Sequence, residues 1–371
     1  MKDNKNKPLV PKNIEDLKAY VAGKTIAEVV EQYKPARVSK LASNENRLGF
    51  SPDVKPAVAE ALEVMQDYPD PIARKLRSAI SKKNGINEDQ VLLASGSESI
   101  LSILCRTFFL NKENAITADV TFVGFFVQIG VRGVHLKKIP VTADYRFDVK
   151  ALVNAIDEHT KMIYVANPNN PTGTYRDKDE FEWMMQQVPS DVLVVMDEAY
   201  FEYSSNIEDY PHAITYGYDN VIVLRTFSKA YGLAGFRIGY AMGHKDVIAM
   251  MMKTKLTFEP TGLAQAAALA AYQDHDFLKK GIDVVESSKK RLYAFFDKHN
   301  VKYIRSVSNS VMMICDSEEE AINFTQSMLE QGVILRRINA FGLPNCIRIT
   351  VGISEEMDHF EESFLNLKKS N

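Results

Sequence analysis

The stretch Thr226-Phe227-Ser228-Lys229-Ala230-Tyr231-Gly232-Leu233-Ala234-Gly235-Phe236-Arg237-Ile238-Gly239 sets one lysine among hydroxyl and small residues, with an arginine eight positions further on. It lies between two apolar runs, 221–226 and 238–242, so the lysine falls just past the end of a strand. A lysine drawn into such a site loses proton affinity by desolvation, which makes Lys229 a nucleophilic amine near neutral pH. Thr226, Ser228 and Arg237 supply hydroxyl bonds and one bidentate guanidinium for a phosphate dianion. Together they suit a Schiff base with a phosphorylated aldehyde. A Ser-Lys pair alone would read as a surface lysine after a turn, whereas this many ordered positions carry a specific signal.

Outward from this segment, short apolar runs alternate with amphipathic helical patterns, the signature of a mostly parallel α/β sheet. The runs fall at 91–95, 115–118, 162–166, 192–197, 221–226 and 238–242, with helical stretches at 99–110, 149–157 and 178–187. After 242 the pattern turns helical, at 246–255, 261–273 and from 276 to about 300. A smaller α+β unit follows, with strands near 312–315, 333–336 and 347–351 and a closing helix from 354 to about 369. The expected division is a large domain at 67–274 and a small domain at 275–371, with the N-terminal segment 1–66 assigned to part of the small domain partly through the family resemblance given below. Ligands in such sheets collect beyond the carboxyl ends of the strands. Asn170, Asp197, Ser228 and Lys229 all fall there.

At 371 residues the chain is too long for one small core. Lys+Arg total 45 against 48 Asp+Glu, and the net charge of -3 leaves no electrostatic footprint for nucleic acid. Cys105, Cys315 and Cys346 are far apart among apolar neighbours and read as buried thiols of a cytoplasmic protein. The histidines show no pair at metal-ligand spacing, so no metal is expected. No run approaches the roughly 18 apolar residues of a membrane span. Residues 1–12 are polar and lack the apolar core of a signal peptide, which again implies a cytoplasmic location.

Other motifs carry chemistry. Val192-Leu193-Val194-Val195-Met196-Asp197-Glu198-Ala199-Tyr200 puts a carboxylate at the end of an apolar strand, which is costly unless a cation pairs with it or it caps the next turn. Asn167-Pro168-Asn169-Asn170-Pro171-Thr172-Gly173 is a turn-forming cluster directly after a buried strand. Ser95-Gly96-Ser97-Glu98-Ser99 joins a strand to a helix, as an anion site or as a capped start that needs no ligand. Arg348 interrupts the apolar run Cys346-Ile347-Arg348-Ile349-Thr350-Val351, where an inward guanidinium needs an anionic partner.

In this order and spacing, from about residue 40 to residue 352, the motifs resemble those of class I/II (fold type I) pyridoxal-phosphate-dependent aminotransferases, in the form used by the histidinol-phosphate branch. The resemblance implies an α/β fold with a large domain on a mostly parallel seven-stranded sheet flanked by helices, plus a smaller α+β domain. It implies pyridoxal 5'-phosphate as cofactor, with Lys229 as the catalytic lysine. Asp197 would meet the pyridine nitrogen, and Asn170 and Tyr200 the ring hydroxyl. Gly96, Ser97 and Glu98 would join Thr226, Ser228 and Arg237 around the phosphate. Phe122, in Thr121-Phe122-Val123-Gly124-Phe125, would stack on the ring, unless it is a core aromatic. Tyr68, in Tyr68-Pro69-Asp70, would reach the phosphate of a partner subunit, implying a homodimer with shared active sites; the alternative is a tyrosine before a turn proline. Arg348 and Arg336 would hold substrate carboxylate or phosphate. Asn46, in Leu41-Ala42-Ser43-Asn44-Glu45-Asn46, would line the substrate pocket, although Arg47 stands where the family usually has proline. The implied reaction takes an amino donor and a 2-oxo acid, foremost histidinol phosphate with 2-oxoglutarate. An aromatic amino-acid aminotransferase and a threonine-phosphate decarboxylase on the same scaffold are the alternatives.

Overall fold

The central strands of the main sheet, at 193–197 and 221–226, are Val-, Ile- and Leu-rich runs buried on both faces, which is why they read as continuous apolar stretches and not as alternation. The computed structural model describes residues 9–17, 23–110 and 112–370; the polar residues 1–8 lie outside the described residues. After β1 (Ser39–Lys40) come the seven strands of the main sheet: β2 (Val91–Ala94), β3 (Asn114–Ala118), β4 (His135–Ile139), β5 (Thr160–Ala166), β6 (Leu193–Asp197), β7 (Val221–Thr226) and β8 (Gly239–Gly243). Their spatial order is β2-β8-β7-β6-β5-β3-β4. Only β8 runs against the rest, antiparallel to both β2 and β7. The sheet is thus mostly parallel and seven-stranded, as expected.

β4 and the helix Val123–Arg132 are among the elements not marked in the sequence. β4, His-Leu-Lys-Lys-Ile, is an edge strand whose residues are exposed or half-buried, and its lysines blunt a free edge. Val123–Arg132, for which no helical stretch was expected, is a helix that closes on Gly133 at φ 71.

Five further strands are β9 (Lys302–Ile304), β10 (Ser310–Ile314), β11 (Val333–Ile334), β12 (Arg336–Arg337) and β13 (Cys346–Thr350). Four of them form a second sheet in the order β12-β13-β10-β9, while β1 pairs in parallel with β11, Ser39 opposite Val333. That pairing stitches the N-terminal stretch to the C-terminal unit. The helix Val54–Leu62 instead buries Val54 in the large core.

The long helix His275–Lys298 and the closing helix Ser354–Ser370 supply Leu292, Phe296 and Phe360 to the second core, beside Val311 and Ile349 of its sheet. This core also contains Tyr200 and Ala230, from the loops after β6 and β7. The loop that follows Asp197 and the loop that carries Lys229 therefore lie at the seam of the two cores. Among the described residues no helix is long and apolar enough to cross a membrane.

Candidate active site

The carboxyl ends of the central strands converge on one cavity. Asp197 ends β6 and Thr226 ends β7, while the Asn167–Gly173 turn leaves β5 and the helix Ser97–Phe108 begins just after β2. Ser97, Glu98, Phe122, Asn170, Asp197, Tyr200, Thr226, Ser228, Lys229 and Arg237, ten of the residues singled out from sequence, line this cavity.

Lys229 is half-buried, its Nζ donating to the Ser43 carbonyl at 3.3 Å and lying 5.8 Å from the centre of the Tyr200 ring. Desolvation pushes its pKa down to about 8; Arg348 and Arg237 push the same way, against Glu45 and Asp197. A substantial fraction of the amine is therefore neutral at mildly alkaline pH.

At one end of the cavity the backbone and cations form an anion cradle. The helix Ser97–Phe108 starts from Gly96 at φ 93, and no side chain caps its exposed N–H groups. A Cβ added to Gly96 would stand 3.1 Å from Arg237 Nη2, and one added to Gly239 would stand 2.9 Å from the Ser97 nitrogen. Only residues without side chains let these segments approach so closely. Arg237 Nη1 donates to Ser228 Oγ at 3.4 Å and to the Ala234 carbonyl at 3.1 Å. Thr226 Oγ1 accepts from the Ser228 nitrogen at 3.1 Å and shapes the same turn.

Asp197 is buried. Its Oδ2 accepts from the Tyr164 hydroxyl at 2.6 Å and its Oδ1 from the Ala199 nitrogen at 3.2 Å. Burial nevertheless pushes the carboxyl up to about 6. Among the described residues no basic side chain forms an ion pair with it. A buried carboxylate without a cationic partner, facing a cavity that has an anion cradle and a lysine, fits a ring with a protonatable nitrogen, a phosphate and an aldehyde. The residues present thus match pyridoxal phosphate in charge and in donor set.

At the cavity wall the Tyr200 hydroxyl accepts from Asn44 Nδ2 at 2.8 Å. Asn170 Oδ1 accepts from Arg348 Nη1 at 2.6 Å, so the Nδ2 of that amide is the donor left for a ring hydroxyl. Arg348 also donates from Nη2 to the Ala42 carbonyl at 2.7 Å, which brings β13 to the rim of the site.

The remaining expected residues stand outside the cavity wall. Asn46 is used internally, donating to the Ala230 carbonyl at 2.8 Å and accepting from the Leu48 nitrogen at 3.0 Å, and so ties its loop to the Lys229 loop. Arg336 is the cross-strand partner of Arg348. Tyr68 is 80% exposed and stacks on Phe258 with ring centroids 4.2 Å apart. Arg47, where proline was expected, forms an ion pair with Glu356 at 2.6 Å that fixes the path of its loop.

Tyr164, Asn44 and Ser43 were missed as site residues. A tyrosine inside an apolar strand does carry a signal, since a buried hydroxyl needs a partner. Asn44 and the Ser43 carbonyl reach their partners only through tertiary contact.

A parallel sheet with a lysine, a buried aspartate and an anion cradle at its carboxyl edge defines a group-transfer enzyme built around a phosphorylated cofactor. The chain belongs to the class I and II aminotransferases, whose family model matches residues 36–364. It is 37% identical over 358 residues to the histidinol-phosphate aminotransferase of Geobacillus sp. strain WCH70, covering 96% of this chain and 97% of that one. It is also 37% identical over 349 residues to the histidinol-phosphate aminotransferase of Bacillus subtilis strain 168, covering 94% and 96%. Among solved structures, histidinol-phosphate aminotransferase from Sinorhizobium meliloti in complex with pyridoxal 5'-phosphate matches with a TM-score of 0.90 at 26% identity, over 99% of this chain and 100% of that one. A double mutant of Thermus thermophilus aspartate aminotransferase shares the fold, with a TM-score of 0.82 at 21% identity over 96% and 100%.

Proposed function

We propose that this aminotransferase uses pyridoxal 5'-phosphate to move the amino group of histidinol phosphate to 2-oxoglutarate, giving imidazole acetol phosphate and glutamate, a step of histidine biosynthesis. The observation that carries the chemistry is the Lys229 amine set between the Arg237–Ser97 cradle and the buried Asp197 carboxylate. The relatives support the substrate, at 37% identity over nearly the whole chain.

Bound at this site, the protonated pyridine ring supplies an electron sink for the substrate carbon that carries the amine. Asp197 holds the ring nitrogen protonated, and Asn170 and Tyr200 orient the ring through its hydroxyl. Phe122 covers one ring face. The amides of Gly96, Ser97 and Glu98, with Thr226, Ser228 and Arg237, hold the phosphate. Lys229 Nζ would take the proton from the amine-bearing carbon and hand it to the carbon of the cofactor's aldehyde, a role suited to an amine whose pKa is pushed down to about 8. Arg348 receives the carboxylate of glutamate or 2-oxoglutarate. Histidinol phosphate lacks that carboxylate, and its phosphate is held at the arginine-lined rim, with Arg336 beside Arg348. Asn46 shapes the pocket wall by fixing the loop over Lys229.

The active unit is a homodimer in the cytoplasm, with Tyr68 reaching the neighbouring subunit's phosphate. Its 80% exposure supports this, as does that of Leu62, Val64, Leu256 and Phe258, an amount of apolar surface that a lone chain would leave in water.

Steady-state assays with histidinol phosphate, phenylalanine and threonine phosphate, each with 2-oxoglutarate, test the substrate. The highest kcat/KM is expected for histidinol phosphate. A higher value for phenylalanine, or release of carbon dioxide from threonine phosphate, would overturn the reading.

A further inference from the structure

Tyr164 lies within β5, fully buried, and its hydroxyl donates to Asp197 Oδ2 at 2.6 Å. The strand register puts it there. Ala166 is the partner of Asp197 across β5 and β6, and Tyr164, two residues earlier, projects from the same face as Ala166. The ring is fixed by a stack on Phe125, with centroids 4.2 Å apart and planes 9° apart, and Phe125 is itself buried on the helix Val123–Arg132. A hydroxyl buried in an apolar strand needs an acceptor, and a buried carboxylate needs donors; these two groups satisfy each other.

We propose that Tyr164 is a positioning residue for Asp197: its hydroxyl fixes the orientation of the carboxylate at the cavity floor and supplies the hydrogen bond that the charged form needs in order to hold a protonated ring nitrogen. The inference rests on the pyridoxal-phosphate reading above. The groups that face the carboxylate are Tyr164 from β5, the Ala199 amide, Glu198 and Tyr200 from the segment after β6, and Lys229 from the loop after β7. Glu198 opposes ionisation of Asp197, but its own charge is tied to Arg225 at 2.8 Å. Lys229 favours ionisation through space, and it is also the amine that must stay neutral to act. Among the described residues the side-chain donor in direct contact with Asp197 is Tyr164. Burial already pushes the carboxyl up to about 6, so losing that donor moves it higher.

Tyr164→Phe keeps the ring, the stack and the apolar wall and removes only the hydroxyl. In the cofactor-free protein, infrared titration of the carboxyl band that disappears in Asp197→Asn reads the carboxylate directly. Its midpoint is expected to rise by about one pH unit or more in Tyr164→Phe. In the loaded enzyme kcat should fall about 10- to 100-fold with little change in KM, and the acid limb of the pH profile should move upward. The double variant Tyr164→Phe/Asp197→Asn should be no slower than Asp197→Asn alone, because Tyr164 acts through Asp197. An unchanged carboxyl midpoint, or fully additive losses in the double variant, would overturn the proposal. If the wild-type protein takes up no pyridoxal phosphate, the functional reading fails, while the titration of the cofactor-free protein still decides the role of Tyr164.

Discussion

Arg348 donates from Nη1 to Asn170 Oδ1 at 2.6 Å, joining the C-terminal sheet to the turn that leaves β5. Its other terminal nitrogen holds the Ala42 carbonyl at 2.7 Å, so one guanidinium is set in place by the N-terminal segment and by the turn after β5 together. This geometry uses the planar fork of arginine, which a lysine cannot reproduce.

Arg348→Lys is therefore expected to raise KM for 2-oxoglutarate by about 10- to 100-fold, the effect of losing a charge-assisted bond to a carboxylate. Steady-state kinetics with the oxo acid varied at saturating amino donor measure it. An unchanged KM for 2-oxoglutarate would remove Arg348 from substrate binding.

Burial gives Asp197 a testable pH signature in the cofactor-free protein. Its carboxyl is pushed up to about 6, so between about pH 4 and pH 6 the folded chain binds more protons than the unfolded one. The contribution of this group to stability therefore falls as pH rises through that window and stays low above it. Glu202, pushed up to about 7 by burial, acts with the same sign to a higher pH. Asp197→Asn removes one of these titrations and is expected to raise the melting temperature of the cofactor-free protein by a few degrees at pH 7.5, with little change at pH 4. Turnover of the loaded enzyme should fall steeply in the same variant, since an amide cannot hold the ring nitrogen protonated. Calorimetry that finds Asp197→Asn less stable at pH 7.5 would contradict this account of the buried carboxylate.

The parts of the site that could be read from sequence are local. Lys229, Asn170 and Gly96 each sit on a short loop directly after a strand, and Asp197 at the end of one, whose double-sided burial writes it as an apolar run. The contacts of those residues were less visible, because they depend on register and on the small domain. Nothing adjacent in sequence links Tyr164 to Asp197 or Asn44 to Tyr200, 33 and 156 residues apart. β4 escaped detection for a different reason: an edge strand with lysines lacks the apolar run that marks the interior ones. The glycines at 124 and 130 masked the helix Val123–Arg132 in the same way, by breaking its local helical preference.

The exposed Tyr68 leads to a prediction about assembly. When Lys229→Ala and Tyr68→Ala chains are co-expressed, each heterodimer has one site carrying both lesions and one carrying neither, so activity should recover to about a quarter to a half of that of the wild type, depending on the fraction of heterodimers. Isolated mixed dimers, separated by distinct affinity tags, measure it. Mixed dimers with no more than about half the activity of the Tyr68→Ala homodimer would show that Tyr68 serves its own subunit.

The central claim is that Lys229 is the amine that holds the cofactor's aldehyde. Borohydride reduction of the loaded protein, followed by proteolysis and peptide mass spectrometry, tests it in one step. One phosphopyridoxyl group is expected, on the peptide that carries Lys229, with loss of that label when histidinol phosphate is added before reduction. A label on a different lysine, or a label on Lys229 that histidinol phosphate does not displace, would contradict it.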